Sequence, residues 1–311
     1  MRMRVGQWAA VLLIAVVIVA AFPAPLLAWS PGTHVFLGET VLANLTQLPG
    51  MIADLLRAFP YDFLYGNIAA DTSMAKKYAP VGRHCHAWHV GQEIFDRAES
   101  EALRAFGLGY LSHLAADSIA HNFFVPRQLV VTSTTIAIGH SWWESRFETH
   151  LGDTFARTAA DLIRMDHGGA DAHLDRILSP TIFSVRTSRR LFRGMVNVAE
   201  TQSWQRAFRM VSERSKWDLP DDMVEGQMSH AFELVMEMLV GNDEVARRYD
   251  PSGEASLRLA KRMRMDVVRG RVPSDPGRLA ELADESFGLP ASPDHRFWPQ
   301  SGSHRPWSGL A

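Results

Sequence analysis

Residues 102–124 read ALRAFGLGYLSHLAADSIAHNFF, and their periodicity sets the architecture. Apolar residues recur at three and four spacing, which predicts one long helix. Three polar residues of one kind interrupt the apolar run: His113, Asp117 and His121, each four from the next and so neighbours on one face. These are metal-ligand types, and a second pair at the same spacing, His140 and Glu144, follows. At about 1.5 Å rise per residue, His113 and His121 stand roughly 12 Å apart along the axis, too far to hold one ion together. Asp117 lies between them, able to share an ion with His113 and turn its second oxygen to another. His121 then needs other partners, and His140 with Glu144 supplies them. Three protein ligands leave a coordination position open, as catalytic zinc requires, so the pattern reads as a polynuclear zinc site.

Outward from this helix the chain reads as all-α. Helical periodicity recurs through Val35 to Leu45, Ile52 to Phe59, Phe147 to Ile163, Ser184 to Val211, Pro220 to Val240 and Glu254 to Val268, and no long alternating stretch suggests a sheet. The β-branched segment Leu129 to Ile138 is expected as an extended loop leading to a helix near His140. The aperiodic stretch Leu289 to Ala311, rich in Pro, Ser and Gly, is expected as a mobile tail after a helical domain over 29–288. The C-terminal half is expected to serve as packing around the first half.

The 311 residues are 47% apolar, ample for a large core, and a formal net charge of −2 advertises no nucleic-acid surface. Residues 1–28 have the features of a signal peptide: Arg2 and Arg4, an apolar run from Trp8 to Phe22, then a breaker-rich segment ending at Ala28. Cleavage there makes the protein exported, periplasmic or secreted, with an N-terminal anchor as the alternative. Cys85 is the only cysteine, which excludes an intrachain disulfide.

Further candidate ligands lie upstream. Asp71 follows Ala69 and Ala70 at a helix end, His84, Cys85, His86 and His89 crowd a short stretch, and His34 lies five residues after Trp29, the residue that cleavage would expose. A freed α-amino group and its own carbonyl can chelate a metal. His150, His167 and His173 are read as packed residues.

In this order, Trp29, His34, Ala69-Ala70-Asp71, His86-Ala-Trp-His89, His113-x3-Asp117, His121 and His140-Ser-Trp-Trp-Glu144, the chain resembles the zinc-dependent bacterial phospholipase C family, whose trinuclear plan single-strand-specific zinc nucleases share. The resemblance covers Trp29 to Glu144 and implies a compact all-α bundle with three zinc ions in a cleft. It places one ion on Asp71, His86, His113 and the bridging Asp117. A second falls to the Trp29 amine and carbonyl, His34 and Asp117, and a third to His121, His140 and Glu144. Asp71 would orient the attacking water or take its proton. The spacing from Asp117 to His121 is two residues shorter than in better-known members, which predicts one unbroken helix there. His84 remains an alternative to His86, and Cys85 is read as a buried bystander.

The implied activity is a zinc-dependent phosphodiester hydrolase, a phospholipase C releasing a phosphorylated head group from a phospholipid at a membrane surface. A single-strand nuclease is the first alternative, with nucleic acid as substrate. The second is a non-catalytic helical binding protein tied together by zinc.

Overall fold

The computed structural model describes residues 29–134, 139–199, 201–291 and 295–300, and these contain helices and no β-strand. In chain order the helices are α1 Pro31–Ala43, α2 Gly50–Ala58, α3 Pro60–Ala69, α4 Trp88–Asp96, α5 Glu101–Ile119, α6 Val125–Val131 and α7 His140–Leu151. They continue with α8 Asp153–Arg164, α9 Gly168–Ile177, α10 Val185–Ala199, α11 Gln202–Glu213, α12 Asp221–Leu239, α13 Glu254–Val268 and α14 Pro276–Phe287. The all-α reading holds. The signal-peptide reading of residues 1–28 lies outside the described residues. None of the helices among the described residues is long and apolar enough to cross a membrane.

Helix α5 is the axis of the molecule. Ser100 caps it, its hydroxyl accepting from the Leu103 N–H at 3.2 Å, and every residue from Ala105 to Ile119 is buried. A helix apolar on all sides must be covered on all sides, and α3, α4 and α12 pack around it. The α3 crossing is unusually close. A Cβ on Gly66 would stand 2.1 Å from the Phe106 carbonyl oxygen, and one on Gly109 would stand 2.0 Å from that of Phe63. Only glycine at both positions lets the two backbones meet there, and the contact sets the depth of α3 one turn before His113.

Helix α5 does not continue unbroken through His121. Residues Ala120–Phe124 form a π turn before α6 resumes. Pro126 supplies the cause, because it lacks the N–H that would bond the Asn122 carbonyl and its ring crowds that group. The widened turn carries His121. The expected loop at Leu129 is likewise helical as far as Val131, while residues 135–138 lie outside the described set. The Phe147 to Ile163 and Ser184 to Val211 stretches each divide into two helices, the first at Gly152. Helix α3 ends at Ala69, beside Asp71, as expected, whereas α9 and α14 were not anticipated.

The expected mobile tail is docked where it is described. The Glu233 carboxylate on α12 accepts from the backbone N–H groups of Phe297 (2.7 Å) and Trp298 (2.6 Å), and the Trp298 ring is buried against Phe232. One contiguous cluster of buried side chains thus runs from Trp29 to Trp298.

Candidate metal centre

Six segments deliver the expected ligands to one buried place. Helix α5 brings His113 and Asp117, the π turn His121, α1 His34, the 3-10 turn Ala70–Thr72 Asp71, the loop before α4 His86, and α7 His140 and Glu144. All eight are buried. The two oxygens of Asp117 point to different partners: Oδ1 lies 3.2 Å from His34 Nε2, and Oδ2 lies 2.9 Å from His86 Nε2 and 3.1 Å from His113 Nε2. Asp71 Oδ1 stands 3.4 Å from His86 Nε2 and 3.9 Å from His113 Nε2. His121, His140 and Glu144 bring their ligand atoms within 4.8 Å of one another, with Glu144 Oε1 2.5 Å from His140 Nε2.

Contacts outside the cluster turn the imidazoles the right way. His113 Nδ1 lies 2.7 Å from the Asn67 carbonyl oxygen, and His121 Nδ1 lies 2.5 Å from that of Pro251. A carbonyl only accepts, so both Nδ1 atoms donate and both Nε2 lone pairs face inward, the arrangement that metal-bound histidines usually show. The Asn67 contact depends on the close α3 crossing. The Pro251 contact depends on Gly253, whose φ of 57° lies in the left-handed region and whose added Cβ would stand 2.4 Å from His121 Cβ.

The inward atoms lack hydrogen bonds. His34 Nε2, Asp71 Oδ2, both Asp117 oxygens, His121 Nε2 and Glu144 Oε1 are buried without one. Each such atom costs about 1–3 kcal/mol if nothing compensates it. His86 Nε2 and His113 Nε2 also face each other at 3.1 Å. Converging nitrogen and carboxylate electron pairs are what divalent cations satisfy, and the nitrogen-rich donor set suits zinc.

Charge divides the cluster in two. Burial would raise the Asp71 carboxyl, but the Lys76 ammonium, then His113 and His86, hold it well below the usual carboxylate range. Asp117 is also held well below that range, its burial overridden by His113, His121 and His34. Glu144 moves the other way: burial, then the like charges of Asp71 and Asp117, push its carboxyl well above the usual range. Burial is also the main cause that lowers His121 to about 4, leaving a neutral ring at pH 7. Asp71 is therefore better suited to orienting a water than to accepting its proton.

The remaining candidates fall as follows. Trp29 is buried, its ring stacked on Phe147 at 5.3 Å and 6.3 Å from the His34 ring. Nearby Ser30 and Gly32 hydrogen-bond the half-buried Glu148 carboxylate, which ties the start of α1 to α7. His86 rather than His84 reaches Asp71 and Asp117, while His84 Nδ1 accepts from the His86 N–H at 3.1 Å. Cys85 is buried with Sγ 3.2 Å from His86 Nδ1, so it touches a ligand residue instead of standing apart. His167 stacks on Tyr65, and His173 bonds the Ile94 carbonyl, as packed residues do. An apolar cavity of about 150 Å³, lined in part by Pro31, Phe192, Trp204 and Phe208, includes none of the nine expected residues.

Three contributors were missed. Lys76 is buried beside Asp71 at 2.6 Å, and its neighbour Lys77 is exposed, so nothing local in the sequence marks it. Asn67 and Pro251 act through backbone carbonyls, which carry no residue signature. Pro251 also shows that the C-terminal half does more than pack.

Comparison with known proteins agrees with the geometry. The family model described as zinc dependent phospholipase C matches residues 33–177, which contain every expected ligand except Trp29. No curated protein and no solved structure matches the chain. The segment that builds the ligand cluster is thus similar to the zinc-dependent phospholipase C family.

Proposed function

We propose that the protein is a zinc-dependent phospholipase C that hydrolyses the phosphodiester of a phospholipid and releases a phosphorylated head group. The observation that carries this reading is the set of buried, inward-facing donor atoms without hydrogen bonds around Asp117. They divide into the groups that ions would need: Asp71, His86, His113 and Asp117; His34 and Asp117; and His121, His140 and Glu144. The second group is completed by the Trp29 amine and carbonyl if the chain is cut before Trp29. Three ions are the full complement.

Bound zinc supplies Lewis acidity toward the phosphoryl oxygens and activates water at neutral pH. Asp117, whose two oxygens face different histidines, would hold two of the positions together. Asp71 would orient the water through Oδ2, the oxygen that has no hydrogen bond. His121 is locked by the Pro251 carbonyl, so its Nε2 keeps one direction as charge develops. Burial of the whole set excludes bulk water and strengthens every one of these interactions.

The test is zinc content by elemental analysis of protein beginning at Trp29, with head-group release from mixed phospholipid vesicles and nucleotide release from single-stranded DNA measured in parallel. Close to three zinc per chain with head-group release is expected. Nucleotide release alone would move the protein to the nuclease branch. Zinc with neither activity would leave a zinc-stabilised helical protein.

A further inference from the structure

Lys76 is a buried lysine inside a set of metal-ligand atoms. Its ammonium donates to Asp71 Oδ1 at 2.6 Å, and its Nζ lies 3.2 Å from His86 Nε2. Both atoms belong to the first of the three ligand groups. A zinc ion held by Asp71 and His86 would therefore stand within a few ångströms of the ammonium, and two cations at that range repel strongly in a low-dielectric interior.

The backbone is bent to put Lys76 there. Ala75, just before it, has φ 56° and ψ 40°, the left-handed region, and is the one non-glycine residue with positive φ among the described residues. That conformation costs about 1–2 kcal/mol in a residue with a Cβ. Lysine is rarely buried without a partner. Here Asp71 is that partner, so the ion pair offsets the local strain and the loss of hydration. An exposed Lys76 would need neither.

Resting on the zinc-dependent reading above, we propose that Lys76 is a built-in competitor for the first ion, holding Asp71 Oδ1 beside His86 Nε2 until zinc displaces it. Zinc at the Asp71, His86, His113 and Asp117 group is then held less tightly than those four donors alone would hold it. Loading of that position becomes graded with zinc concentration.

Stepwise zinc affinity, measured by competition with a chromogenic chelator, tests the assignment in wild type, Lys76→Met and Lys76→Gln. Both neutral variants are expected to bind the weakest wild-type ion about tenfold or more tightly, because a unit charge no longer opposes it. The metal-free Lys76→Met protein is expected to unfold more readily than wild type, since Asp71 loses its partner. Lys76→Gln keeps a hydrogen bond to Asp71 and guards against a variant that fails to fold. Tighter zinc with weaker metal-free stability is the signature of a competitor. Unchanged or weaker zinc binding in both variants, with zinc bound by wild type, would overturn the lysine assignment and leave the enzyme reading intact. No zinc uptake by any of the three proteins would overturn both.

Discussion

At one end of the ligand cluster Asp71 and Asp117 are ringed by Lys76, His34, His86 and His113, and both carboxyls are held well below their usual range. At the other end Glu144 meets His140, feels Asp71 and Asp117 as like charges, and is pushed well above it. The same ligand chemistry thus stands in two electrostatic settings within one cluster. One end is neutralised within the protein before any metal binds. The other carries a carboxyl whose charge is opposed by burial and by Asp71 and Asp117, so its metal relieves more strain.

The sharpest attack on this contrast is Asp117→Asn. It removes the charge that both neighbouring ions would share, so elemental analysis should find two zinc fewer and head-group release should fall on the order of a thousandfold. Glu144→Gln should lose a single zinc. Equal losses in the two variants would remove the bridging role.

Gly253→Ala tests the orientation of His121 from outside the cluster. The added Cβ displaces the loop that carries the Pro251 carbonyl, and the ion at His121, His140 and Glu144 should weaken about 10- to 100-fold while the others hold. A uniform weakening of all ions would show a general loss of structure instead.

The metal-free protein should report the charge contrast through pH. Glu144 has its folded pKa above the unfolded value of 4.5, so its contribution is fully present below 4.5 and is lost as pH rises through the folded pKa. Glu144→Gln should therefore stabilise the metal-free protein by about 1 kcal/mol or more at pH 8, with the gain disappearing below pH 4.5. Denaturant unfolding at both pH values measures it. A variant that is less stable at pH 8 would contradict the opposed charge of Glu144.

The smallest effect is expected far from the metals. Glu233→Gln weakens the two backbone contacts that dock Phe297 and Trp298, costing about 1 kcal/mol. Zinc content should not change.

The contrast also marks how much of the protein was legible in its residues. The spacing of His113, Asp117, His121, His140 and Glu144 was sufficient for the all-α reading and for a divided ligand set, because a helix turns sequence spacing into adjacency. The tail reading missed the docking of Phe297 and Trp298 because it depends on Glu233, over sixty residues away, which local composition does not encode. The unbroken helix failed because Pro126 acts on Asn122 through a backbone bond, and only the observed π turn shows how the chain absorbs it.

Residue identity and periodicity were enough to specify the helices, the ligand types and their order along the chain. Tertiary packing chose among the histidines, favouring His86 over His84 by bringing its Nε2 to Asp117. It set the lone-pair directions of His113 and His121 through the carbonyls of Asn67 and Pro251, and it buried Lys76 on Asp71. The physical reason is one of range. Helical spacing is local and repeats every turn, whereas lone-pair direction and charge compensation come from groups that meet only when distant segments pack.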